Sequence, residues 1–582
     1  MSDFLNVAAS LSGRRWIGPS GDEIRAAEAL AQQSSLPPAL CRVLARRAVP
    51  PEQAGEFLNP TLKNLLPDPR ALKDMEQASE RFLKALSRGE TIAIFADYDV
   101  DGGAAAALLI DWLRQMGKEA SLYVPDRITE GYGPNPAAMK DLAQGHDLIV
   151  CVDCGTLGHE AIAAAEGADV LVLDHHLGGE TLPPALAVVN PNRQDESGDL
   201  HYLCAAGVVF LLLVELNRRL RETGSGGPDL MAMLDLVALA TVADVAPLVA
   251  ANRALVRQGL KVMARRRRPG LVALCDAARL DTAPEAYHLG FVLGPRINAG
   301  GRIGKADLGA RLLATSDPHE AAALAEQLER LNHERREVET AVRAAALDQA
   351  RARGLEGPLA WAAGDGWHPG VIGIVAARLK EASNRPAVVI GFEGDEGKGS
   401  GRSVNGVDLG AAIQQLKAEG LLVKGGGHRM AAGLSLTRAQ LEPAMQRLGE
   451  LLARQGSGRL GPADLRLDGL LMPPAATPEL IEQIEAAGPF GAAAPAPRFA
   501  FPEMMIHHAR RVGDTHLKLS FGDASGTGPR IDAICFGAFD GPLGAALLNH
   551  ADVRFHLAGR LEINTWGGRR RVQLRLEDAA TA

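Results

Sequence analysis

Along the chain, apolar residues fall into short β-branched runs and longer, helically spaced ones, and polar residues gather where the short runs end. Residues 91–101, TIAIFADYDVD, form such a run, closing on aspartates at alternate positions, Asp97, Asp99 and Asp101. The GGAAAALLIDWLRQMG that follows has helical spacing, and a helix is predicted over 76–86 before it. Strand, polar turn and helix make the βα unit of a parallel sheet. The unit repeats. A strand is predicted over 121–124; HDLIVCVD ends at Asp153, and ADVLVLDHH ends at Asp174, His175 and His176, with helices over 157–166 and 205–220. LDLVALATVADVAPL is a helical run that gives way to Asp244.

The remainder is organised around that block. Residues 1–70 read as helices with proline-marked turns and carry no evident chemistry. GPRINAGGRIGKADLG is predicted as a glycine-rich loop bearing Arg296, Arg302 and Lys305, and 321–354 as one helix long enough to join two domains. From Pro358 strand and helix alternate again, and GKGSGRS and KGGGHRMAAG set Ser400, Arg402, His428 and Arg429 among glycines. From Leu465, short alternating runs between glycine turns predict a small antiparallel barrel. The divisions expected are 1–70, 71–320, 321–355, 356–456 and 460–582.

Composition narrows the classes. A length of 582 residues suggests about four cores, and 47% hydrophobic with 23% charged residues is the balance of a soluble globular protein. A net charge of −8 excludes a polycation wrapped around nucleic acid, though not a basic groove. No apolar run is long enough for a membrane span and no signal segment opens the chain, so a cytoplasmic protein is expected. Six scattered cysteines fit a reducing compartment, and Cys151 and Cys154 have no second pair with which to build a zinc site. The G-x-x-x-x-G-K-[ST] phosphate loop is absent from the sequence, which argues against an ATP-driven motor.

In an extended backbone, residues two apart share a side, so Asp97, Asp99 and Asp101 would converge, and carboxylates that close repel unless a cation sits among them. A polar strand-to-helix turn is the alternative. In open parallel sheets, ligands bind beyond the carboxyl ends of the strands, where three of these strands deliver acids or histidines. Carboxylates from four segments plus imidazole suit Mn²⁺ or Mg²⁺, and a pair of ions would use that many ligands. Arg127, in the loop PDRITEGYGPN, reads as a solvated arginine. The Arg296–Arg302 stretch is either a phosphate-approaching loop or plain surface. Arg569, Arg570 and Arg571 beside Trp566 are either a strand-tracking groove or a charged turn.

DYDVDG, VDCG, LDHH and TVADVAPL, in that order, resemble the four motifs of the DHH phosphoesterase family, and GGGHRMAAG resembles the glycine-rich motif of the DHH-associated domain. The resemblance covers nearly the whole chain. It implies an α/β fold: a DHH catalytic domain with a parallel sheet over 71–320, a connecting helix over 321–355, a DHH-associated α/β domain over 356–456, and an OB-fold nucleic-acid-binding barrel over 460–582. The implied activity is two-metal, single-strand-specific exonuclease action on DNA from the 5′ end, releasing mononucleotides, in repair and recombination. A narrow channel between the two α/β domains would admit a single strand but not a duplex.

Carried onto matching positions, Asp97, Asp99, Asp101, Asp153, His175 and Asp244 would hold the metals. Asp174 would position or bridge, His176 would face the scissile phosphate, and Arg302 would stabilise charge developing there. Arg127, Ser400 and Arg402 resemble a pocket for the 5′ phosphate, with Arg296 and His428 as further substrate contacts. Expected partners are single-stranded DNA, a single-strand-binding protein and a helicase; a monomer is expected. Phe95 stands where many members have a histidine, and GPFGAAAPAP lacks the asparagine of a family PFG-x-GNP-x-P element. The sequence ends just past the barrel, so no further partner-binding domain is expected. The competing readings are a DHH phosphoesterase for short oligonucleotides, cyclic dinucleotides or pyrophosphate, and a silent scaffold. The barrel argues against the first, and the intact acids argue against the second.

Overall fold

The structure, a computed structural model, describes residues 3–127, 129–458, 464–523, 526, 528–551, 553–566 and 569–582, without the side chains of Trp566 and Arg569. It divides into two compact units, one of residues 3–61, 464–490 and 494–582, the other of 62–458 with 491–493.

The second unit holds two sheets. In the first, β1 (Ile92–Ala96), β2 (Ser121–Tyr123), β3 (Leu148–Val152), β4 (Asp169–Leu173) and β5 (Ala187–Val189) run parallel in the order β2-β1-β3-β4-β5. β1 and β3 are buried along their whole length, as apolar parallel strands covered on both faces must be. Phe95 belongs to this core, stacked on Tyr123. The helices that carry site residues are α1 (Val100–Gln115), α2 (Ala205–Glu222), α3 (Leu234–Ala243) and α4 (Gly294–Ile303).

Two expectations are corrected here. The helix predicted over 157–166 is only His159–Ala163, because Gly158 N–H closes a turn on the Gly155 carbonyl at 2.9 Å and Gly158, with ψ of 43°, is not helical. GPRINAGGRI is not a loop but the helix α4. Its glycines serve close approach: a Cβ on Gly301 would lie 3.0 Å from the Tyr98 carbonyl oxygen.

α5 (Pro318–Arg353), 36 residues long and capped by Asp317, leads to the second sheet. There β6 (Ala360–Asp365) and β7 (Ala387–Glu393) are parallel, with α6 (Pro369–Ser383) between them in sequence. β8 (Glu396–Arg402), β9 (Lys424–His428) and β10 (Ala431–Thr437) complete the order β9-β10-β8-β7-β6 by antiparallel pairing. The glycine-rich stretches are therefore strands. Gly399 and Gly401 of β8 share a face on which a Cβ would come within 2.9 Å of Leu434 and 2.7 Å of Leu409. Val342, Ala346 and Ala350 of α5 pack into one core with Ala360, Val371 and Val375.

The first unit is a barrel of β11 (Phe499–Val512), β12 (His516–Gly522), β13 (Ile531–Cys535), β14 (Arg554–Trp566) and β15 (Arg569–Thr581), ordered β11-β12-β13-β15-β14 and closed by β11 on β14. It is not wholly antiparallel as expected. β13 and β15 pair in parallel, because the helix Pro542–Leu548 and β14 intervene in sequence and supply the crossover such a pair requires. Amino-terminal residues Leu30, Leu40 and Leu44 share the barrel's core with Phe501 and Phe521. Trp16–Ile17 pairs with Leu465–Arg466, and the Trp16 indole donates to buried Asp578 at 2.9 Å. Of the arginine groove expected beside Trp566, the side chains of Trp566 and Arg569 lie outside the described residues, and Arg570 is ion-paired to Glu482. Among the described residues, no helix is long and apolar enough to cross a membrane.

Candidate metal centre and basic pocket

The three aspartates do not share one extended strand, because β1 ends at Ala96. A turn and a helix start bring them together instead. Asp99 caps α1, its Oδ1 accepting from the backbone N–H of Asp101 (2.8 Å) and Gly102 (3.2 Å). Asp101, inside the first turn, accepts from the N–H groups of Ala205 (2.6 Å) and Ala206 (2.8 Å) at the start of α2, where the positive helix end suits a carboxylate. Gly102 permits the turn, since a Cβ there would meet the Asp97 carbonyl oxygen at 2.5 Å. Asn298 of α4 braces it by accepting from Val100 N–H at 3.0 Å. Asp153 follows β3 with φ of +61°, Asp174 follows β4, and Asp244 ends α3.

All six expected ligands meet at this edge. Three sets of donor atoms lie close enough to share an ion: Asp97 with Asp99 and Asp153; Asp101 with His175 and Asp244; Asp153 with His175 and His176. His175 Nε2 is 3.3 Å from Asp153, 3.7 Å from Asp101 and 3.8 Å from Asp244. Oδ1 of Asp97 and Oδ1 of Asp153 are buried without any hydrogen bond. Burial, then the neighbouring carboxylates, pushes the Asp97 and Asp153 acids well above the ordinary range, raises Asp101, and lifts Asp244 to about 9. Buried acids crowded to that degree, with oxygens left unpaired, fit a resident divalent cation. The carboxylate-rich set suits Mn²⁺ or Mg²⁺.

Asp174 has a different task. Its Oδ1 accepts from the N–H groups of His175 (2.7 Å) and His176 (3.1 Å) and from His176 Nδ1 (2.8 Å), and its Oδ2 from Thr156 N–H (3.1 Å). Burial alone would raise this acid. The bond and charge of His176 outweigh it and hold Asp174 below the usual range. Burial likewise opposes charge on His176, but Asp174 wins and carries the imidazole to about 9. Sequence reasoning missed the groups that orient this pair. The Tyr132 hydroxyl lies 3.0 Å from both the Asp153 carbonyl oxygen and His176 Nδ1, and Asn190 donates to Thr156 and to the His176 carbonyl at 2.8 Å. Asn190 follows β5 as the acids follow their strands; recognising β5 in AVV would have pointed to it.

The basic residues gather around the start of α6. Half-buried Arg302 donates to the Gly370 carbonyl at 3.0 Å, and desolvation followed by Arg127 and Arg335 lowers its pKa to about 10. Arg127 lies over the Tyr98 ring at 5.3 Å. Arg402 donates to the Ser400 hydroxyl (3.0 Å) and the Gly401 carbonyl (2.8 Å), and burial, then Arg127, lowers its pKa. The partners of Arg302 and Arg402 are thus neutral oxygens, leaving their charge for an anion. His428 is in register with Arg402, two strands away through Ala431. Arg296 is elsewhere engaged, ion-paired to Glu329 of α5 at 2.5 Å and bound to the Val292 carbonyl.

Family models match the chain in three stretches: the DHH family, N-terminal domain, at 91–241; the DHHA1 domain at 356–454; and the RecJ OB domain at 467–578. The single-stranded-DNA-specific exonuclease RecJ of Dickeya dadantii is 39% identical over 563 residues, 93% of this chain and 96% of the relative. That of Escherichia coli is 37% identical over 566 residues, covering 94% and 96%. Among solved structures, the RecJ of Thermus thermophilus in complex with Mn²⁺ superposes with a TM-score of 0.80 at 30% identity, covering 97% of this chain and 79% of that one.

Proposed function

This chain belongs to the RecJ family of single-stranded-DNA-specific exonucleases, and from that premise we propose that it hydrolyses single-stranded DNA from the 5′ end, releasing mononucleotides. The observation that carries this reading is the position of Arg302. It feels Asp99 of the acidic edge and is hydrogen-bonded to the first turn of α6, so the two charge clusters meet at one guanidinium. Asp97, Asp99, Asp101, Asp153, His175 and Asp244 would hold two Mn²⁺ or Mg²⁺ ions. Ions bound there supply the positive charge that activates water and neutralises the phosphodiester. Arg302 stabilises charge building on the scissile phosphate. Asp174 and Tyr132 orient His176 toward that phosphate. Arg127, Ser400 and Arg402 grip the terminal 5′ phosphate, which sets polarity and cuts one residue at a time. A channel between the two α/β domains admits one strand and not a duplex, and the barrel guides that strand.

Because the sequence has no phosphate loop of a motor, a helicase would open the duplex and a single-strand-binding protein would present the strand. The enzyme acts as a cytoplasmic monomer in repair and recombination. The test is a time course with Mn²⁺ on a 3′-labelled single-stranded oligonucleotide. Labelled fragments that shorten progressively, with duplex left uncut, are expected. Immediate release of labelled mononucleotide means the opposite polarity, and no cleavage removes the exonuclease reading.

A further inference from the structure

The residue that caps the start of α6 is a histidine. His368 is the N-cap, with extended backbone, and its Nδ1 accepts the Gly370 N–H at 3.0 Å. A ring nitrogen that accepts carries no proton, so the neutral ring must be protonated on Nε2. Burial, then the charge of Arg127, disfavours a second proton and keeps the ring in this form.

The helix start has little else to offer a ligand. Pro369, first in the helix, has no N–H; that of Gly370 goes to the ring; that of Val371 goes to the His368 carbonyl at 3.0 Å. The positive end of α6 therefore reaches outward through the imidazole. The surroundings are those of the basic pocket. One turn along, a Cβ on Gly373 would lie 3.1 Å from both Arg402 Nη2 and the Ser400 hydroxyl, and Gly370 holds Arg302 through its carbonyl. Arg127 bears on both His368 and Arg402.

We propose that His368 is a fourth ligand of the terminal phosphate, donating Nε2–H to a phosphate oxygen while Nδ1 holds the helix cap. The proposal rests on reading Arg127, Ser400 and Arg402 as the 5′-phosphate pocket. The guanidiniums supply charge, and the imidazole supplies a neutral donor in a fixed tautomer, so the pocket selects by direction as well as by charge.

Serine separates the two roles of the ring, because it caps helices well but places no donor where Nε2 stands. The full-length protein, its His368→Ser variant and its His368→Ala variant would be compared with Mn²⁺ on 3′-labelled single strands bearing a 5′ phosphate or a 5′ hydroxyl, with melting curves alongside. The expected result is that H368S melts close to the parent and above H368A, yet its 5′-phosphate to 5′-hydroxyl ratio of kcat/KM falls roughly tenfold or more, the worth of a hydrogen bond to a charged group. An unchanged ratio in H368S makes the histidine a cap only and overturns the proposal, as does an equal loss on both substrates. A parent protein indifferent to the 5′ phosphate overturns the pocket reading itself.

Discussion

The acidic edge of the first sheet and the half-buried basic rim around α6 are both clusters of like charge, yet they are held differently. At the acidic edge the repulsion is left standing. Asp97 and Asp153 keep unpaired oxygens, and burial with the neighbouring carboxylates pushes both acids well above the ordinary range. At the basic rim Arg302 and Arg402 donate to neutral oxygens, of Gly370 and of Ser400 with Gly401, and stay charged because arginine gives up its proton so reluctantly. On the proposed reading, the first arrangement suits a cation that stays and the second an anion that comes and goes.

The largest test of this contrast is Asp153→Asn. Activity should fall roughly 10³-fold, since a group serving two of the candidate ion sites is lost. The chelated variant should nonetheless melt above the chelated parent, because a crowded acid has been removed. A lower melting temperature would mean that the carboxylate is not under strain. Arg302→Ala should lower kcat by about 10²-fold with a smaller change in KM, as expected for a group that acts on developing charge. A pure KM effect would reassign it to ground-state binding. Arg402→Ala should erase about tenfold or more of the preference for a 5′ phosphate while leaving Mn²⁺ affinity alone.

A smaller effect should appear in the metal-free protein as pH is varied. Asp97, Asp101, Asp153 and Asp244 all titrate higher folded than unfolded, Asp244 at about 9. Above an unfolded carboxyl pKa of about 3.9, the folded protein therefore holds more protons than the unfolded chain. Stability present in full at acid pH is lost as pH rises from there through the folded values, to about 9 for Asp244. Calorimetry after chelation should show melting temperature falling across this window, and Mn²⁺ should restore most at the alkaline end, where its ligands are ionised. The smallest effect is that of Arg296→Ala. Its partly exposed bond to Glu329 predicts a loss within about 1 kcal/mol. A drop in kcat/KM comparable to that of R302A would place it in the substrate path after all.

The two clusters also differed in how far they were legible. The acids stood out because a parallel sheet aligns its strand ends, so one-dimensional repetition of an apolar run followed by an acid translates directly into one edge in space. Even there the route was misjudged, since the carboxylates meet through a turn and the starts of two helices rather than along one strand. The basic residues come from widely separated parts of the sequence, and no local period relates Arg127, Arg302, His368 and Arg402. Arg296 and Arg302 looked alike while their stretch was read as a loop. As a helix of 3.6 residues per turn, α4 points residues six apart in different directions, one toward Glu329 and the other toward Gly370. The sequence by itself determined the apolar strands of the first sheet that lead to Asp97, Asp153 and Asp174 and what metal chemistry those acids suit, because these follow from neighbours along the chain. Only the tertiary structure decided which cations face the site and which serve as struts, because that depends on the packing of distant helices.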